Sequence, residues 1–298
     1  MSLIERLIRP LQPARPRSLA ILLAPGQLSC VVRQGRRPVD DGARRIAFAN
    51  PGGHWQAGLD ALRALLREAP TVWAGLPLEV SLSGRWSHMV VAPWSDALMS
   101  EPAATHFLQS QLTALYGDVA RGWHIVGDDA PYGQARTVCG IDATLLHAVK
   151  ELAGECGHPC RAIEPLLCTA LRSLGTYELR APAAALALIE PGRITMAALD
   201  RGRVAALQSQ PAGGGWREEL PQAWQRWTLR VPELAAIEHV AVVDLSAAPA
   251  IAPGAIVQLV AEALPPRFHM VPHPFASIGA APKEPANHPG AAPSGAAA

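Results

Sequence analysis

The sequence predicts an α/β protein in which one β-β-β-α-β-α unit occurs twice and a small α+β subdomain interrupts the first copy. Three observations carry this. The phrase "LLAPGQLSCVVRQGRRP" beginning at Leu22 returns as "LIEPGRITMAALDRGRV" beginning at Leu188, with Pro25-Gly26 and Pro191-Gly192 standing 166 positions apart. Each copy is followed by a helical apolar stripe and then a short apolar strand. Between the copies lies a run of strand and helix patterns that the second copy lacks.

Residues 1–17 read as an arm, with Leu3, Ile4, Leu7 and Ile8 at helical spacing before a Pro/Arg linker. The first half is expected over 18–180. Its strands begin at Ser18, and Pro25-Gly26 marks a hairpin because Pro presets a turn φ and Gly tolerates φ > 0. A helix over 53–68 presents Leu59, Leu62, Leu65 and Leu66 on one face, and "LEVSLS" at 78–83 is a strand. The inserted subdomain is expected over about 85–164: strand 87–94, a helix from 101, strands near 122–127 and 135–141, helix 142–156 and strand 159–164. The second half, 181–272, repeats the order, with three strands across 183–209, a helix at 215–228, a strand at 239–245 and a helix near 254–263. The Ala/Pro/Gly-rich stretch 273–298 is expected to be disordered, having too little apolar surface to bury.

Composition excludes several classes. The net charge of +1 provides no field that would draw the chain to nucleic acid or to an anionic membrane. No segment reads as a signal peptide or as a membrane span; the apolar stretch after His239 is broken by Asp244, Pro249 and Pro253. Five irregularly spaced cysteines point to reduced thiols and a cytoplasmic setting. Cys156, His158 and Cys160 lie close together, but a zinc site needs a second ligand pair, so this stretch reads as a turn and no metal is expected. Three glycines in "AGGGWREE" precede a helix without a Lys and read as a connector rather than a phosphate site. No spaced Ser, His and Asp form a triad. Eight tryptophans outnumber Phe and Tyr together. Trp224 and Trp227 share a helix face, and most of the eight are expected in the core.

The repeated unit with its insertion resembles the actin/Hsp70/ribonuclease-H-like fold. Within that superfamily, "LEVSLSGRWSHMVVAPWSDAL" followed by "LYGDVARGWHIVGDDAPYGQARTVCGIDATLLHAV" is most similar to the actin-like cytoplasmic components of type IV pilus and type II secretion assembly. These are the PilM type, the cytoplasmic part of the GspL type and their mannose-sensitive-pilus relatives. The resemblance covers roughly residues 18–272 and rests on strand order and phrasing, without a catalytic signature.

In active members of the superfamily the two hairpins cradle ATP, each supplying an acid for Mg²⁺. Here Ala24 stands at the first acidic position, and Asp244-Leu245 stand where the adenosine-binding glycines are expected. Glu190 and Arg193 in the second hairpin remain as the residues of a residual nucleotide site, or else as ordinary turn residues facing solvent. The resemblance therefore implies a non-catalytic scaffold without a cofactor, peripheral to an inner membrane. The alternative is a nucleotide-binding ATPase or sugar-kinase-like enzyme. The PilM type receives a short cytoplasmic peptide of a bitopic membrane partner in the groove between insertion and first half. By that resemblance, Trp86 and Trp94 are the expected wall of the groove. Self-association is a further expectation.

Overall fold

The computed structural model describes residues 16–35, 37–39, 43–174, 181, 183–246 and 264–275. In chain order the first half comprises β1 (Arg17–Ala24), β2 (Gln27–Gln34), β3 (Arg37–Pro38), β4 (Arg44–Ala47), α1 (Trp55–Arg67) and β5 (Leu78–Leu82). Then come β6 (Ser87–Ala92), α2 (Ala103–Tyr116), β7 (Trp123–Gly127) and β8 (Arg136–Asp142), followed by α3 (Ala143–Glu155), β9 (Cys160–Pro165) and α4 (Leu166–Ser173). The second half comprises β10 (Ala183–Glu190), β11 (Arg193–Asp200), β12 (Arg203–Pro211), α5 (Trp216–Arg230), β13 (Val240–Asp244) and β14 (Phe268–Met270).

The two large sheets have the same order, β3-β2-β1-β5-β9 with β4 also on β2, and β12-β11-β10-β13-β14. In both, the hairpin strands pair antiparallel and the later strands join in parallel. The duplication extends to single hydrogen bonds. Just past β5, the N–H of Ser83 donates to the carbonyl of Leu23 at 2.9 Å; just past β13, the N–H of Leu245 donates to the carbonyl of Ile189 at 2.8 Å. Gly26 and Gly192 take φ values of +79° and +78°, a region that side chains other than glycine's rarely adopt.

Strand alternation explains the layering. Leu19, Ile21 and Leu23 of β1 point outward to a core closed by α1 and α3, whereas Ala20, Leu22 and Ala24 point inward. In β10, Ala185, Ala187 and Ile189 meet the tryptophans of α5, and Ala184, Leu186 and Leu188 point inward. The inward faces form one shared core with Leu166, Leu167 and Ala170 of α4. Both central strands are buried on both faces, which is why they read as continuous apolar runs. At the α3 start, Asp142 caps the helix by accepting the Thr144 N–H at 2.7 Å.

The insertion is smaller than expected. Its sheet is β6-β8-β7, packed on α2, and it ends at Asp142. The helix and strand assigned to its end, α3 and β9, belong to the first half: β9 pairs in parallel with β5, and Leu145, Val149 and Leu152 of α3 lie in the outer core of that half. Of the expected arm, Arg17 already belongs to β1. The stretch expected to be disordered from 273 begins with placed residues. Phe275 is buried in the core between the sheets, with the Arg33 guanidinium 5.1 Å over its ring. The remaining arm residues 1–15, the helix near 254–263 and residues 276–298 lie outside the described residues.

Candidate functional site

The two Pro-Gly hairpins meet at a cleft of about 280 Å³ lined by Pro25, Gly53, Ser83, Arg85, Glu190 and Arg193 among others. Its centre is Glu190, the last residue of β10 and only 4% exposed. Its side chain crosses from the second half to the turn after β5. Oε1 accepts the Ser83 hydroxyl at 2.6 Å, and the Gly84 N–H donates to both carboxylate oxygens at 3.1 and 3.2 Å. Gly84 is required for this approach, since a Cβ there would stand 2.9 Å from Oε2. Glu190 is therefore not a turn residue facing solvent. Burial raises its pKa; the Ser83 and Gly84 hydrogen bonds and the Arg193 charge oppose that rise.

A pseudo-equivalent contact crosses in the other direction. Gln27, the counterpart of Arg193 in the repeat, donates from Nε2 to the carbonyl of Leu245 at 3.4 Å and accepts from Arg45 at 2.5 Å. Leu245 is 1% exposed, with its side chain in the core between the sheets. Asp244 accepts from the Ser246 N–H and hydroxyl at 2.9 and 2.6 Å and stands 3.8 Å from Arg217. Ala24 is buried and offers no ligand atom. Arg193 donates to the Ser209 hydroxyl at 2.9 Å. Neither Arg193 nor Arg85 has a carboxylate within 4.0 Å among the described residues.

This arrangement ties the halves together with neutral and charge-assisted hydrogen bonds. The Gly84 N–H at the cleft is occupied by Glu190. Glu190 and Arg193 both line the cleft, and the Glu190 carboxylate is engaged by the opposite half.

Trp86 and Trp94 do not form a groove wall. Trp86 is 7% exposed in the outer core of the first half; its indole N–H donates to the carbonyl of Gly53 at 2.8 Å, and its ring packs beneath Gly58. Trp94 is half-buried against the subdomain core, with Tyr132 edge-on at 4.7 Å. The "VVAPW" pattern resolves its two ends differently, because the strand ends at Ala92 and Trp94 follows Pro93.

Two other cavities flank the insertion; Glu190 and Arg193 reach the larger one, and the remaining lining residues were not singled out from the sequence as site residues. One, about 490 Å³, lies between the insertion and the first half. Its floor is the cross-strand row Met89, Cys139 and Val126, and its side is the edge of β9 that has no ladder partner among the described residues. Leu146 and Lys150 of α3 close it. The other, about 600 Å³, lies between the insertion and the second half, with Ser87–Val91 of β6 on one side and Ala205–Ser209 of β12 on the other. An edge position was legible only from strand order, which no local pattern supplies.

Three thiols are held in the protonated form. Burial takes Cys139 to about 12 and Cys168 to about 11, and it pushes Cys30 higher still. His158 is buried, with Nδ1 2.9 Å from the carbonyl of Leu76. In the glycine turn, the Gly213 N–H donates to both Glu219 oxygens at 2.9 and 3.1 Å, so the helix supplies its own anion. Among the described residues, no group of three His, Cys, Asp or Glu residues could hold a metal ion, and no helix is long and apolar enough to cross a membrane.

Two sheets of identical order, sharing one core and bringing a hairpin each to a common cleft, define an actin-like fold with a duplicated ribonuclease-H-like unit. Two solved structures agree in fold. The PilM-PilN type IV pilus biogenesis complex is similar at TM-score 0.58 and 13% identity, over 78% of this chain and 82% of that one. A Bacteroides thetaiotaomicron protein of actin-like ATPase fold and unknown function is similar at 0.51 and 10% identity, over 78% and 84%. The cytoplasmic domain of EpsL, an inner membrane component of the Vibrio cholerae type II secretion system, aligns at 0.48 and 14% identity, over 87% and 91%. No protein-family model and no curated protein matches the sequence.

Proposed function

We propose that this chain is a non-catalytic actin-like adaptor of a pilus or secretion assembly platform, peripheral to an inner membrane. In this reading, the groove between the insertion and the first half binds a short cytoplasmic segment of a bitopic membrane protein. The observation that carries the reading is the edge of β9, without a ladder partner among the described residues, opening onto an apolar floor. An extended segment added to β9 would gain main-chain hydrogen bonds from the edge and side-chain selection from the Met89, Cys139 and Val126 row. The similar PilM-PilN structure is itself a complex, which supports a protein partner for this fold. The buried Ala24 and the core position of Leu245 argue against the alternative of an ATPase or sugar-kinase-like enzyme.

The test uses the cytoplasmic N-terminal segments of single-span membrane proteins encoded beside the gene. Val126 is 55% exposed, so Val126→Arg fills the groove without disturbing the core. One segment should bind the native protein, and Val126→Arg should weaken it roughly 30-fold, about 2 kcal/mol, with melting unchanged. Unchanged affinity would reject the groove.

A further inference from the structure

The second cavity carries an inference that goes beyond the adaptor reading and does not depend on it. β12 is the edge of the second sheet and β6 an edge of the inserted sheet. At their closest the two strands come within 8 Å, Cα to Cα, yet no ladder joins them. Consecutive residues of both strands line the cavity, which therefore follows the strand edges themselves rather than one face of either. Paired strands stand ~4.8 Å apart, so a strand between these two would need roughly 9.6 Å. The strands would have to part by at least ~1.6 Å at their closest approach to admit it. The ion pair across this seam, Arg203 to Asp128 at 3.1 Å, is over a third exposed on both sides and holds it only weakly.

Charge sets the direction of the occupant. The walls include Val90, Leu207, Trp227 and Tyr116, while at the Gly84 end stand Arg193 and, beside the cavity, Arg85. Neither arginine faces a carboxylate within 4.0 Å among the described residues, because Glu190 is turned onto Ser83 and Gly84. His88, on the same wall, is stacked on Trp123 with ring centroids 4.4 Å apart. An occupant with a free carboxylate at that end would meet the Arg193 guanidinium, with Arg85 beside the cavity and the Glu190 carboxylate, also on its lining, engaged by Ser83 and Gly84.

We propose that the slot between β6 and β12 is a second docking site, which takes the extended C-terminal end of a polypeptide by strand addition to β12, with its terminal carboxylate at Arg193 and Arg85.

The probe is a library of random peptides displayed with free C-termini, selected on the full chain, with the recovered peptides synthesised as acids and as amides. The selection should enrich extended apolar sequences. Their affinity should fall at least tenfold on amidation, in Arg85→Ala, and in Ala205→Arg, where an exposed residue on β12 would fill the slot. Disconnecting the seam with Arg203→Ala should tighten binding severalfold. Val126→Arg, in the other groove, should leave these affinities unchanged, which separates this site from the adaptor groove. The inference fails if no class is enriched, if amides bind as well as acids, or if the enriched peptides lose affinity in Val126→Arg while keeping it in Ala205→Arg.

Discussion

Glu190 concentrates the chemistry of the cleft in one side chain. Its pKa is raised chiefly by burial, so its contribution to stability is complete below the ordinary carboxylate value of 4.5 and is lost as pH rises through the folded value. Glu190→Gln keeps the shape and removes the charge. The melting temperature of the variant minus that of the native protein should therefore increase as pH rises from 4.5 to 8; a flat difference would mean that the carboxylate pays no burial penalty. Two histidines titrate in the opposite sense. His88 and His273 are held down to about 4, both chiefly by burial, with Arg193 and Arg85 adding to it at His88 and Arg45 at His273. His273 Nδ1 accepts the Phe275 N–H at 3.0 Å, which requires the neutral ring. A depressed histidine contributes fully above its unfolded value of 6.5 and loses that contribution as pH falls through 4. Acid should then destabilise the protein between these limits by at most ~3 kcal/mol for each ring. His88→Asn should flatten part of that slope in a pH series of urea melts. Trp86 behaves as core: Trp86→Ala should cost ~3–5 kcal/mol in denaturant unfolding, and an undisturbed midpoint would return it to the surface.

At the scale of elements, local patterns were sufficient where periodicity and turn chemistry decide. The stripe Leu59, Leu62, Leu65 and Leu66 produced α1, and the two Pro-Gly turns produced the hairpins. They were insufficient where partnership decides. "PCRAIEP" reads as a strand in any context; only the parallel pairing with β5 makes it an edge of the large sheet rather than part of the insertion. The same blindness hid the seam between β6 and β12 and the lining of the groove beside β9, because both depend on which strands are edges. Glu190 was legible as an acid at the hairpin. Its destination was not, because Ser83 and Gly84 lie more than a hundred residues away in sequence. The Ser83-Gly84 turn is therefore an element-level target. Gly84→Ala would push a methyl group against Oε2, and it should lower the melting temperature by several degrees in the native protein but by less in a Glu190→Ala background. Equal losses in both backgrounds would show that the turn does not act through the carboxylate.

As a whole, the molecule has the two-sheet plan of an actin-like protein, and its cleft is bridged from both sides, by Glu190 on the turn after β5 and by Gln27 on Leu245. What remains open to partners is the pair of seams around the insertion. Mg²⁺-ATP should accordingly leave the melting temperature unchanged, whereas a ligand held at a hundred times its Kd would add ~2.7 kcal/mol. An upward shift abolished by Glu190→Ala would restore a nucleotide site. The proposed adaptor role is tested most directly by amide hydrogen exchange on the native chain, alone and saturated with whichever neighbouring-gene cytoplasmic segment binds it. Strand addition predicts slowed exchange at Cys160–Pro165, where β9 gains a neighbour, and no change at the Pro25-Gly26 and Pro191-Gly192 hairpins. Protection that appears at the hairpins and leaves β9 untouched would contradict it.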